Sequence, residues 1–157
     1  MDMTYHFKFA SGGSIPAGAQ PNGQEAPPTS DPLWIARTIG GTPGLPIVQL
    51  GKVRPGFGGA FFPFGGKEVS SVEYEVLMEA GLWVAGDPGG KIPIGAVVCG
   101  EDGDGAPLFV ARAPLNGGLQ PGKTRAGWGK ASIGFGGKEL FLSPFEVLVT
   151  NDNALHF

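Results

Sequence analysis

The sequence predicts an all-β fold made of two copies of one short-stranded unit. Three observations point there. Twenty-nine glycines and fifteen prolines punctuate the 157 residues, so turns recur too often for long helices. The chain is nonetheless 41% hydrophobic and holds eleven Phe and three Trp, which is apolar material for a core that a disordered segment lacks. Glycine does not recur at every third residue, which excludes collagen. The third observation is that the chain repeats itself.

The repeat is read from five motifs that return in the same order. Ile15-Pro16 returns as Ile92-Pro93, and Pro32-Leu33-Trp34-Ile35-Ala36-Arg37 as Pro107-Leu108-Phe109-Val110-Ala111-Arg112. Gly51-Lys52 returns as Gly122-Lys123, Phe64-Gly65-Gly66-Lys67-Glu68 as Phe135-Gly136-Gly137-Lys138-Glu139, and Tyr74-Glu75-Val76-Leu77 as Phe145-Glu146-Val147-Leu148. Between Gly51–Glu68 and Gly122–Glu139, 11 of 18 aligned residues are identical. The offset falls from 77 through 75 to 71. Copy one therefore carries extra residues near Gln24–Asp31 and Gly40–Leu50, and insertions belong in surface loops. The units are residues 5–80 and 81–150 of one domain, 1–157, with 151–157 as a tail.

Comparing the copies settles the elements in turn. Leu33–Arg37 and Leu108–Arg112 are short strands after a turn proline. Phe61–Phe64 and Ser132–Phe135 are strands that run into Gly-Gly turns. Lys67–Ala80 lacks Gly and Pro and reads as a helix in isolation. Its counterpart has Pro144 where copy one has Glu73, and an interior proline costs a helix about 3 kcal/mol. Alternation then makes the segment a strand, with Val72, Tyr74, Val76 and Met78 on one face and Phe145, Val147 and Val149 on the matching face. Each copy is expected to hold about four strands.

Charge narrows the partners. The formal net charge is -3, and Lys and Arg are scattered singly, so no basic stripe exists for nucleic acid. No apolar run approaches the roughly 18 residues of a membrane span. One cysteine, Cys99, cannot staple the fold internally. The N-terminus shows no signal-peptide apolar region. The expected location is cytoplasmic, or secreted without a signal peptide.

Several candidate sites compete. Gly117-Gly118-Leu119-Gln120-Pro121-Gly122-Lys123-Thr124 fits the phosphate-loop pattern letter for letter. That chemistry needs a helix after the loop, and Arg125-Ala126-Gly127-Trp128-Gly129 does not support one. Copy one has Val53 where the hydroxyl should stand. The acidic run Gly100–Gly105 begins like a calcium loop but reaches Ala113 where the closing carboxylate is required. A hairpin turn at Asp-Gly is the simpler reading, so no metal or other cofactor is expected. His6 and His156 lie at the chain ends, away from any repeated Cys or Ser, so no catalytic grouping and no enzyme is expected. Arg37 and Arg112 read as sheet-end ion pairs. Glu68 and Glu139 read as structural or ligand-orienting groups. Lys52 and Lys123 follow a glycine that lets backbone approach closely. Glu25 stands in the register of Asp102. An exposed acid and lysine on neighbouring loops suit vicinal hydroxyls, since a carboxylate accepts and an ammonium donates. A plain surface ion pair is the alternative.

These ordered motifs, from Phe7 to Val149, are similar to tandem DM-nine repeats. Such repeats also occur at the N-terminus of natterin-like proteins and in an oyster lectin that binds mannose. The resemblance implies an all-β, sandwich-like fold whose two antiparallel repeats interlock about a pseudo-twofold axis. It implies a lectin for mannose or mannose-containing glycans, with Asp102 and Lys123 binding in copy two and Glu25 and Lys52 in copy one. Copy two keeps the Pro121-Gly122-Lys123 turn, whereas copy one has Leu50 for the proline. Gly118 stands where the family places a further glutamate. The repeat arrangement allows bivalency and a homodimer. The alternative is a structural or protein-interaction module without sugar.

Overall fold

A computed structural model describes residues 5–150, so the tail and His156 lie outside the described residues. No described residue is helical. Repeat one contributes β1 (Phe7–Ser11), β2 (Gly23–Gln24), β3 (Pro32–Arg37), β4 (Leu50–Val53), β5 (Ala60–Phe64), β6 (Lys67–Ser71) and β7 (Glu73–Leu77). Repeat two contributes β8 (Leu82–Ala85), β9 (Val98–Glu101), β10 (Pro107–Leu115), β11 (Gly118–Thr124), β12 (Ala131–Phe135), β13 (Lys138–Leu142) and β14 (Glu146–Val149). The expected strands are all present. Further strands add to them, and the segments of Lys52 and Lys123 are strands rather than loops.

One sheet runs β1-β7-β3-β4-β5-β6-β13-β12-β11-β10-β14-β8, with every pair antiparallel. The order reads alike from either end, which is the signature of the pseudo-twofold relation. The axis passes between β6 and β13, where Lys67 faces Lys138. There Glu68 N donates to Gly137 O at 3.0 Å, and Glu139 N to Gly66 O at 3.1 Å. Each glutamate side chain also accepts from the opposite turn, Gly137 N to Glu68 Oε1 at 2.8 Å and Gly66 N to Glu139 Oε1 at 2.9 Å.

The repeats interlock at a second place. β2 pairs with β3 of its own repeat and with Leu119 of β11 in the other, closing a barrel-like ring. The counterpart bridge joins Val48 and Glu101. The core follows this exchange. One buried cluster belongs to repeat one (Ala36, Val53, Phe62, Tyr74, Val76 and neighbours) and one to repeat two (Ala111, Ala131, Ile133, Phe145, Val147 and neighbours). A third is shared, with Ile35, Leu50 and Leu77 against Leu108, Val110 and Leu148. Tyr5 clamps the repeats from the edge: its hydroxyl donates to Val149 O at 2.6 Å and accepts from Leu82 N at 3.1 Å.

Two details of the strand reading change. Tyr74 and Val76 are fully buried as expected, but Val72 is 65% exposed. It lies in the bend between β6 and β7 rather than on β7, and its carbonyl accepts from Gly12 N. Pro144 stands just ahead of β14, outside the ladder, where its missing N–H costs nothing.

The shared cluster predicts that neither half folds alone. Residues 5–80 produced as a separate chain should show no cooperative urea transition, whereas residues 1–157 should unfold in one. The glycine before each lysine gives a sharper test. A Cβ at Gly51 would lie far inside contact distance of the Phe61 carbonyl oxygen, and one at Gly122 would meet that of Ser132. Gly51→Ala should therefore cost about 1–3 kcal/mol through overpacking, read as a lower urea midpoint.

Candidate functional site

The strand positions of Lys52 and Lys123 dictate the chemistry around them. Close approach at Gly51 and Gly122 presses β5 onto β4 and β12 onto β11, and the lysine stems are enclosed between strands. Lys52 is 5% exposed and Lys123 is 2% exposed. The expectation of exposed loop lysines is therefore corrected. The acids do lie on loops, Glu25 just after β2 and Asp102 just after β9.

Neither acid touches its lysine directly; a glutamine stands between them. Lys52 Nζ donates to Gln120 Oε1 at 2.7 Å, and Gln120 Nε2 donates to Glu25 Oε1 at 2.8 Å. Arg54 Nε then reaches Glu25 Oε2 at 3.0 Å. The other repeat matches this chain. Lys123 Nζ donates to Gln49 Oε1 at 2.5 Å, Gln49 Nε2 to Asp102 Oδ1 at 3.0 Å, and Arg125 to Asp102 Oδ2 at 3.0 Å. Sequence reasoning passed over Gln49, Gln120, Arg54 and Arg125. Their signal was present: Gln49-Leu50-Gly51-Lys52-Val53-Arg54 and Gln120-Pro121-Gly122-Lys123-Thr124-Arg125 align at the 71-residue offset.

Aromatic rings complete each site. Lys52 Nζ lies 5.4 Å from the Phe135 ring centre, and Lys123 Nζ lies 5.3 Å from that of Phe64, so each ring comes from the other repeat. Arg54 stacks over Phe57 at 4.6 Å, while Arg125 lies 5.8 Å from the Trp128 ring. A cleft of about 390 Å³ opens at Lys52, lined by Glu25, Phe57, Phe61, Glu68 and Phe135.

The sites differ in how much bonding capacity they spend. Lys52 makes one described hydrogen bond, and Glu68 Oε2 lies 3.9 Å away. An ammonium has three donors, so two N–H groups remain. Lys123 makes two bonds, the second to Pro63 O at 2.7 Å. Asp102 accepts from Gln49, Gly103 N and Arg125, whereas Glu25 accepts from Gln120 and Arg54.

Charge follows environment. Burial lowers the pKa of both lysines by disfavouring the ammonium; Glu68 and Glu25 oppose this at Lys52, and Glu139 and Asp102 at Lys123. Burial pushes the Asp102 carboxyl up, but bonds from Gln49, Gly103 and Arg125, with the Lys123 charge, outweigh it and leave its pKa lowered.

The competing motifs resolve plainly. The phosphate-loop lookalike is a hairpin turn at Asn116-Gly117, both at positive φ, followed by β11. The acidic run is the β9–β10 hairpin, closed by Gly105 N to Asp102 O, with Asp104 held by Arg125. Arg37 and Arg112 bond Glu75 and Glu146 as sheet-end pairs. His6 contacts Glu79, and Cys99 is buried, which raises its thiol to about 11. Among the described residues no group of three or more His, Cys, Asp or Glu is placed to hold a metal, and no helix is long and apolar enough to cross a membrane.

Burial makes the lysines structural as well. Lys123→Ala should cost about 2–5 kcal/mol, the range for emptying a buried long side chain, while Lys123→Met should recover most of it; urea unfolding reads both. The lysine values are lowered on folding, so their contribution to stability rises as pH climbs toward the ordinary lysine value. Replacing both with Met should flatten the rise in stability on the approach to the ordinary lysine value from below. The Asp102 value is also lowered, so its contribution is held above the ordinary aspartate value and lost below it. Asp102→Asn should flatten the profile below about pH 4.

Comparison with known proteins places this geometry. Its fold is similar to that in the crystal structure of the nematode sperm cell motility protein MFP2B, with a TM-score of 0.64 at 19% identity. The match covers 94% of this chain and 46% of that one, so the chain spans less than half its length. No sequence among the curated proteins matches significantly. The family model of the DM9 repeat matches residues 46–142, well over half of the chain and including both lysines. The chain belongs to the DM9 repeat family.

Proposed function

We propose that the protein is a carbohydrate-binding lectin, recognising mannose or mannose-containing glycans without catalysis and without a metal. The observation that carries the reading is the cleft at Lys52. There an ammonium with uncommitted donors, two carboxylates and three phenylalanine rings line one open volume. Hexose hydroxyls both donate and accept, which suits paired acid and lysine, and the C–H face of the ring suits aromatic carbon. Glu25 and Lys52 would bind in repeat one, and Asp102 and Lys123 in repeat two.

Loop lengths in the sequence favour repeat two. The geometry supports the opposite ranking, because Lys123 and Asp102 spend more of their bonding capacity inside the protein. The alternative, a structural or protein-interaction module, is supported by the fold shared with a motility protein.

Calorimetry with mannose and a mannose oligosaccharide tests the reading. A charge-assisted hydrogen bond is worth roughly 1.5–3 kcal/mol, so Glu25→Gln should weaken binding about tenfold or more. Asp102→Asn should cost less, and a chelator should change nothing. A glycan array with no bound sugar would overturn the lectin reading in favour of the interaction module. Binding that needs calcium would overturn the metal-free site.

A further inference from the structure

We propose that Gln120 and Gln49 are positioning residues, each reaching from one repeat to hold the lysine and the acid of the other repeat's site. The ligand in this proposal rests on the lectin reading above, while the wiring rests on geometry alone.

Both glutamines are fully buried, yet both side-chain ends are bonded. A carboxamide carries an acceptor and two donors. It is therefore suited to accept from an ammonium while donating to a carboxylate. Glutamate has no donor when ionised, and methionine or leucine offers neither bond. The amide also keeps the charges from collapsing into a direct pair. Lys52 donates one hydrogen bond to Gln120 and Glu25 accepts one from it, and Glu68 Oε2 lies 3.9 Å from the ammonium.

Strand geometry explains why one repeat serves the other. Gln120 and Lys123 are three residues apart on β11, and alternate strand positions face opposite ways. The strand thus sends its lysine into one site and its glutamine into the other. Gln49, the residue before β4, and Lys52 within it stand in the same three-residue relation. The rings cross over in the same way, Phe135 to Lys52 and Phe64 to Lys123. The same Lys–Gln–acid order forms twice, although one acid is Glu and the other Asp.

The test reads each lysine separately in the whole protein, using isotope-labelled lysine and NMR of the Cε and Nζ signals during mannose titration. Gln120→Met should weaken mannose at Lys52 at least tenfold and leave the Lys123 response unchanged. Gln49→Met should do the reverse. This crossed pattern is one that a general loss of packing does not produce. Equal losses at both lysines, loss only at the lysine in the mutated repeat, or no loss would each overturn the proposal.

Gln120→Glu keeps the shape and serves if the methionine variant does not fold. It should raise the pKa of Lys52 without moving that of Lys123, and an unmoved Lys52 would overturn the wiring. If mannose shifts neither lysine in the parent protein, the lectin reading fails, and the pKa comparison still decides the wiring.

Discussion

Two ammonium groups enclosed between strands are the constraint around which the rest of the structure is arranged. Taking a lysine out of water is costly unless its protons are bonded. Lys52 and Lys123 meet that need with partners drawn across the molecule, Gln120 for one and Gln49 and Pro63 for the other. The hydrogen-bond partners of each lysine lie in the other repeat. The exchange of partners joins the halves beside the shared apolar cluster, with β4 and β11 packed against each other.

The enclosure of each lysine rests on a glycine that lets β5 close on β4 and β12 close on β11. Gly51 and Gly122 have no Cβ, so the carbonyls of Phe61 and Ser132 can close over them. The lysine beside each is thereby buried along its stem, with its head group at the base of a site. The acids arrive separately, on hairpin loops that follow β2 and β9. Because these short strands pair across to β11 and toward Val48, they carry Glu25 and Asp102 to the lysines' glutamine partners.

The two sites depart from symmetry. Trp128 stands where repeat one has Phe57 and Asp102 where it has Glu25, whereas a second acid beside the arginine is common to both, Asp31 for Arg54 and Asp104 for Arg125. The site of Lys123 and Asp102 spends more of its polar groups on protein partners. Repeat one leaves donors and lone pairs facing an open cleft. Duplication supplied two equal frames, and substitution at a few rim residues made them unequal.

The all-β class, the duplication and the strand at Glu73–Leu77 were legible in the sequence. They depend on local facts: glycine and proline spacing, a proline where a helix needs none, and apolar alternation. The closeness of backbone at Gly51 and Gly122 was legible too, because only a missing side chain permits it. The burial of Lys52 and Lys123 was decided by tertiary structure. A lysine after a glycine looks exposed until the opposing strand is in place. The bonds of Gln49 and Gln120 were likewise invisible, although their positions repeat, because each reaches residues 53 to 95 positions away in the other repeat. Local sequence sets turn chemistry and strand period. Which polar groups end up sharing one buried volume is set by how the two halves exchange strands, and only the folded chain contains that information.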